Sequence, residues 1–121
     1  MMEGYAETTN VLKAMAHPSR LQILEALSKE EEACVCHLEH LLGMRQAPLS
    51  QHLAKLRDAG LVIDRREGTN IYYSMADRSL GQLLEITQFT VQLLAFTRGE
   101  AITFELPQGD QAKDCRCPRC A

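Results

Sequence analysis

The chain has 121 residues, 45 % of them hydrophobic, and a formal net charge of −3. That length suits one domain; it can build a core but is small for a stable monomer whose helices are apolar on two sides. No uninterrupted apolar run of roughly eighteen residues suggests a membrane span, and the N-terminus lacks the basic segment and apolar run of a signal peptide, so a cytoplasmic protein with reduced thiols is expected.

Residues 5–16 read as a first helix, with Tyr5, Thr8, Val11, Leu12 and Met15 on one stripe. His17-Pro18 breaks it, because proline disfavours a helical residue before it and suits the first turn of a new helix. Leu21, Ile23, Leu24 and Leu27 give a second helix through about Ser28. The run Lys29-Glu30-Glu31-Glu32 is a solvated connection whose negative charge also suits the start of a third helix, 33–42, ended near Gly43. A fourth helix runs from about 47 to 58, with Leu49, Leu53 and Leu56 inward and Gly60 as its stop. Residues 61–66 and 70–75 are short β-rich runs around Glu67-Gly68-Thr69, which makes a two-stranded hairpin.

The last helix spans about 78–98. Leu80, Leu83, Leu84, Thr87, Val91 and Leu94 form one stripe, and Ile86, Phe89, Leu93 and Phe96 another. A helix apolar over most of its circumference must be buried on most sides. One face meets the domain and the other a second copy, so a symmetric homodimer built on this helix and the first is expected; a monomer that buries the helix centrally is the plain alternative. The division expected is 1–98 as the folded domain and 99–121 as a flexible tail carrying Cys115, Cys117 and Cys120.

The expected fold is mostly α: a winged helix-turn-helix of about five helices plus the hairpin. In such a motif the second helix enters the major groove and the first supports it. Helix 33–42 is the support and helix 47–58 the reader. Charge agrees: residues 43–75 carry five basic and three acidic groups, net +2, in a chain that is negative elsewhere. The outward positions of the reader are Gln46, Ala47, Ser50, Gln51, His52 and Lys55. Glutamine bonds adenine bidentately, serine donates or accepts, and alanine touches a thymine methyl. Arg45, Lys55 and Arg57 suit phosphates. Arg65 and Arg66 flank the wing turn and reach phosphate or a narrow minor groove. The bland reading is a solvated face opposite a leucine stripe.

These segments carry a family resemblance. Leu12-Lys13-Ala14-Met15-Ala16-His17-Pro18-Ser19-Arg20-Leu21, the Cys34-Val35-Cys36 segment, Leu49-Ser50-Gln51-His52-Leu53, Leu56 to Val62 and the Gly68–Tyr73 wing are similar to the ArsR/SmtB family of winged-helix, metal-responsive repressors. The resemblance covers roughly residues 5–98. It implies a homodimer that sits on double-stranded operator DNA and leaves when inducer binds, controlling efflux or detoxification genes. Within the family, Cys-Val-Cys resembles the arsenic(III)/antimony(III) and cadmium/lead sensors. The arsenic version often has a third cysteine three residues after the second; here that residue is Glu39. The family's other site, on the last helix, needs carboxylate and histidine ligands; Asp77 is present, but helix 78–98 has no histidine.

Five cysteines is an odd number, and the C-x-C and C-P-x-C spacings favour metal ligation over a disulfide framework. Thiolates select arsenite-like, cadmium, lead, zinc or cuprous ions over calcium and magnesium. Cys34 and Cys36 need a third donor, and the tail trio Cys115, Cys117 and Cys120 is the source at hand. The 17 residues from Arg98 to Cys115 span at most about 55–60 Å extended and about 20–25 Å as coil, so the pair of either protomer is within reach. The expected site is trigonal: Cys34, Cys36 and one tail cysteine, with His37 and His40 as ligands if the metal is zinc. Side chains at i and i+2 of a helix lie about 200° apart, whereas two sulfurs on one metal lie within about 4 Å. Chelation by both is therefore expected to strain the first turn of helix 33–42, less so if Cys34 sits at a frayed start.

Other readings stay open. A single cysteine is often a small buried hydrophobe. The tail trio also fits a separate zinc knuckle, a redox pair or an uninvolved end. Low-pKa thiols at a helix N-terminus also suit a redox or persulfide sensor. A metal-buffering or protein-interaction module would show no sequence-specific DNA affinity. An enzyme is not expected: there is no phosphate-cradling glycine loop and no βαβ context for Cys117-Pro118-Arg119-Cys120.

Overall fold

The computed structural model of the protein describes residues 2–106. Eight elements follow in order: α1 (Gly4–Met15), α2 (Pro18–Lys29), β1 (Ala33–Cys34), α3 (Val35–Leu42), α4 (Gln46–Asp58), β2 (Val62–Glu67), β3 (Asn70–Met75) and α5 (Ser79–Thr97). Five helices accompany a small antiparallel sheet of order β1-β3-β2, against which α2, α3 and α4 pack. The starts of α1, α2 and α5 each have a local cause. Glu3 accepts from the N–H groups of Tyr5 and Ala6 at 2.8 and 2.7 Å and starts α1. The His17 Nδ1 accepts from Ser19 N–H at 3.0 Å, with Pro18 as the first residue of α2. Asp77 accepts from Ser79 N–H at 2.8 Å at the head of α5. Those Ser79 bonds also hold the Asp77 carboxyl below its ordinary value, so this carboxylate has a structural task as a cap.

The core joins α2, α3, α4, α5 and the sheet through Ile23, Leu24, Leu27, Leu38, Leu49, Leu53, Leu56, Val62, Tyr73 and Leu84, all buried. The α1 stripe is buried only toward its end: Met15 is in the core, whereas Tyr5 and Leu12 face outward. On α5, Leu80, Leu84 and Ala95 are buried, while Ile86, Phe89 and Phe96 are 64, 60 and 78 % exposed. Residues 100–106 form no helix or strand. The backbone carbonyl of Ile102 accepts from Gln92 Nε2 at 3.3 Å, and Leu106 packs on the core.

Two expectations are corrected. The helix read as 33–42 begins at Val35, because Ala33 and Cys34 are extended and pair with β3, Ala33 opposite Tyr73 and Cys34 opposite Tyr72. The wing is accordingly a three-stranded sheet: the expected β2–β3 hairpin plus this short edge strand. Its turn is the pair Gly68-Thr69, with Glu67 opposite Asn70 and a φ of 62° at Gly68, where the first central position of such a turn favours glycine.

Candidate DNA-reading surface and thiol pair

Helices α3 and α4 meet across Gly43-Met44-Arg45. Gly43, at φ 62°, closes α3 in the left-handed conformation. Leu49, Leu53 and Leu56 fix α4 on the core with no exposed surface. The opposite face then presents Gln46, Ala47, Ser50, Gln51 and Lys55 to solvent, with Arg45 just before the helix. No side chain caps the N-terminus of α4; Pro48 has no N–H and Leu49 N–H bonds to the Arg45 carbonyl, so the Gln46 and Ala47 N–H groups are the first-turn donors for an acceptor such as phosphate.

His52 sits differently from its neighbours. It is half-buried, its ring centroid 4.4 Å from that of His17. Its Nδ1 accepts from Arg20 Nε at 3.4 Å, and Arg20 Nη1 donates to the Ala14 carbonyl at 2.9 Å. Burial, then the neighbouring His17, Arg20 and Lys55 charges, push its pKa down. A neutral imidazole bonded this way carries its proton on Nε2, an orientation set from behind the helix.

The basic residues fall into two groups. Arg45, Lys55 and Arg66 are exposed and take part in no ion pair among the described residues. Arg57 lies 3.8 Å from Asp58 and 3.6 Å from Asp64. Arg65 is bound more tightly: Glu32 accepts from its Nε and Nη2 at 2.9 Å each, and Glu67 from its Nη1 at 2.8 Å. Those bonds raise the Arg65 pKa further above its ordinary value. Sequence reasoning placed Arg65 beside the wing turn but missed Glu32, which lies 33 residues earlier.

Cys34 and Cys36 lie on either side of the first residue of α3. Cys34 is the N-cap of α3, with φ −81° and ψ 164°, and its Sγ accepts from His37 N–H at 3.4 Å. It is buried, whereas Cys36, one residue into the helix, is half-buried. The pair therefore straddles the strand-to-helix junction, with Cys34 in extended backbone and only Cys36 inside the helix. A donor pair of this kind suits a soft, thiol-loving ion. His37 points its Nε2 at Glu30 Oε1, 3.4 Å away. Among the described residues, no cluster of three or more His, Cys, Asp or Glu is arranged to hold a metal. Cys115, Cys117 and Cys120, expected from the sequence as tail ligands, lie outside the described residues. No described helix is long and apolar enough to cross a membrane.

Residues 17–64 match the family model of bacterial regulatory proteins of the arsR family. The HlyU protein of Vibrio cholerae has the same fold at a TM-score of 0.66 and 37 % identity, over 74 % of this chain and 97 % of that one. This chain belongs to the ArsR family. The arsenic resistance transcriptional regulator ArsR1 of Pseudomonas putida is 42 % identical over 65 residues, 54 % of this chain and 51 % of that protein. A homologue of the cadmium resistance regulator CadC from Staphylococcus aureus is 35 % identical over 79 residues, 65 % of each chain. The chain thus spans about half the length of the arsenic regulator. Members of the family are transcriptional regulators with a DNA-binding helix-turn-helix, not enzymes.

Proposed function

We propose that this protein is a repressor that binds operator DNA as a homodimer and is released when arsenite, antimonite or a soft metal such as cadmium, lead or zinc binds its cysteine thiolates. The observation that carries the reading is the position of Cys34 and Cys36. Two thiols flank the first residue of α3, the helix that packs beneath the reader α4. An ion gripping both acts on the joint that holds the reading helix. Cys34 and Cys36 supply two ligands, and one of Cys115, Cys117 and Cys120 the third.

The DNA face is assigned to Gln46, Ala47, Ser50, Gln51 and His52 for bases, and to Arg45, Lys55, Arg57, Arg65 and Arg66 for phosphates. Support comes from the exposure of the α4 polar face and from its uncapped N-terminus. The dimer is supported by the apolar outer face of α5, since exposed patches of that kind mark interaction surfaces.

The test is fluorescence anisotropy of the reduced protein on its own upstream DNA at fixed salt, because phosphate contacts make affinity salt-dependent. Release by a thiophilic ion near stoichiometric ratio is expected. Cys34→Ser and Cys36→Ser should each remove that release while DNA affinity stays within about threefold, an energy under about 1 kcal/mol. Tight binding that no ion disturbs would favour the second reading, a thiol redox sensor. The Cys34 Sγ hydrogen-bonded at a helix N-terminus supports that reading too. No specific DNA binding would remove both.

A further inference from the structure

One row of the sheet joins the thiol pair to the wing. Cys34 of β1 stands opposite Tyr72 of β3, and Tyr72 stands opposite Arg65 of β2. Residues directly opposed in antiparallel strands send their side chains to the same face, with Cβ atoms about 4.5–5.5 Å apart. Thiol, phenol ring and guanidinium are therefore consecutive neighbours. Tyr72 is buried, and the Arg65 guanidinium lies over its ring, 4.7 Å from the centroid. The row is also bridged from the other end. Glu32 lies two residues before Cys34 and accepts from both Nε and Nη2 of Arg65 at 2.9 Å. Glu67 takes Nη1, so all three guanidinium nitrogens are engaged within the chain.

We infer that Glu32 is a positioning residue that competes with DNA phosphate for Arg65, and that the Cys34–Tyr72–Arg65 row links this competition to ligation of the thiols. The planar fork of a guanidinium serves one bidentate partner on a given edge. While Glu32 holds the Nε–Nη2 edge, a phosphate cannot take it. Glu32 directly precedes β1, the strand that ends at Cys34, so whatever fixes Cys34 restrains the backbone that presents Glu32. A ligand shared by Cys34 and Cys36 pins β1 against β3 and holds the carboxylate over Arg65. Phosphate at Arg65 draws the guanidinium off Glu32 and loosens that edge. The two events oppose each other, and by linkage each weakens the other by the same factor.

This inference rests on the proposed DNA- and inducer-binding reading, and its tests separate the two. Glu32→Gln keeps size and removes charge. In ligand-free protein it should tighten DNA binding by about three- to tenfold and steepen the salt dependence by about one unit. It should also shrink the arsenite-driven loss of DNA affinity at least threefold, and Glu32→Asp should restore part of that loss. A role confined to stability would move the melting temperature and leave both the salt slope and the arsenite ratio alone. The wild-type salt slope and arsenite ratio in Glu32→Gln would overturn the inference while the repressor reading stands. If wild-type protein is not released from DNA at all, the repressor reading fails, and NMR without DNA decides the inference. Arsenite and cadmium, added separately, should slow solvent exchange of the Arg65 Nε–H in wild type and not in Glu32→Gln. An Nε–H that responds to neither ion in wild type would overturn it.

Discussion

Helices α4 and α5 bury their inner faces in the same way and expose opposite kinds of outer face. Leu49, Leu53 and Leu56 anchor α4; Leu80, Leu84 and Ala95 anchor α5. Outward, α4 shows Gln46, Ser50, Gln51 and Lys55, whereas α5 shows Ile86, Phe89, Leu93 and Phe96. The buried stripes specify that both helices exist and where they pack. The outer sides differ in chemistry, and the proposed function reads that difference: hydrogen-bonding and charged groups on α4 suit a polar, anionic partner, and apolar rings and branches on α5 suit a surface like itself.

That contrast can be broken at either helix. The largest effect is expected from Phe89→Glu with Leu93→Glu on α5. Charge on the apolar face should yield a monomer in sedimentation. A monomer engages one half-site at a time, so DNA affinity should fall by about 10²–10⁴-fold. A double variant that stays dimeric and keeps its affinity would place the dimer elsewhere. Next comes the inner face of α4: Leu53→Ala removes a side chain with no exposed surface and should lower unfolding stability by about 2–5 kcal/mol in a denaturant titration. Gln51→Ala, on the outer face of the same helix, should leave stability within about 0.5 kcal/mol. It should weaken specific binding by about 1–3 kcal/mol and relax preference at one base position. Lys55→Ala should weaken binding on all sequences alike and reduce the salt slope by about one unit; sequence-dependent weakening would reassign Lys55 to base reading.

The smallest effect concerns His52. Its folded-state pKa is lowered by burial and by neighbouring positive charge, so the unfolded chain binds the proton more readily. Stability from the neutral ring is present above the ordinary histidine value, near 6.5, and is lost as pH falls below it toward the lowered folded value. The melting temperature of wild type should drop more between pH 7 and pH 5 than that of His52→Gln. Parallel pH profiles would mean that the His17–His52–Arg20 contact carries no such linkage.

Much of the fold was legible because periodicity is a local property. All five helices and both hairpin strands fall within two residues of where leucine spacing, Pro18, Gly43, Gly60 and Gly68 place them. Strand β1 was not legible: two residues cannot display alternation, and Ala33-Cys34 extends the apolar pattern of α3 seamlessly. The candidate site divides along the same line. The outward set on α4 follows from its inward leucines. The Glu32–Arg65 bridge and the His17–His52 contact join residues more than thirty positions apart, and nothing in the intervening sequence records such pairings.

The joint after α4 has a geometric consequence of its own. Gly60, at φ 79°, turns the chain in one step. Leu61 N–H then bonds back to the Leu56 carbonyl at 2.9 Å, and Ala76 N–H bonds to the Leu61 carbonyl at 3.0 Å. Helix and hairpin are thus fastened to the same residue, with no slack between them. They behave as the two jaws of a fixed caliper. On the proposed function, an operator must present the bases met by α4 and the groove met by the hairpin at one set spacing. A single base pair inserted between them moves one jaw's target by about 3.4 Å and rotates it around the duplex, a misfit that the short joint at Gly60 and Leu61 leaves no intervening segment to absorb.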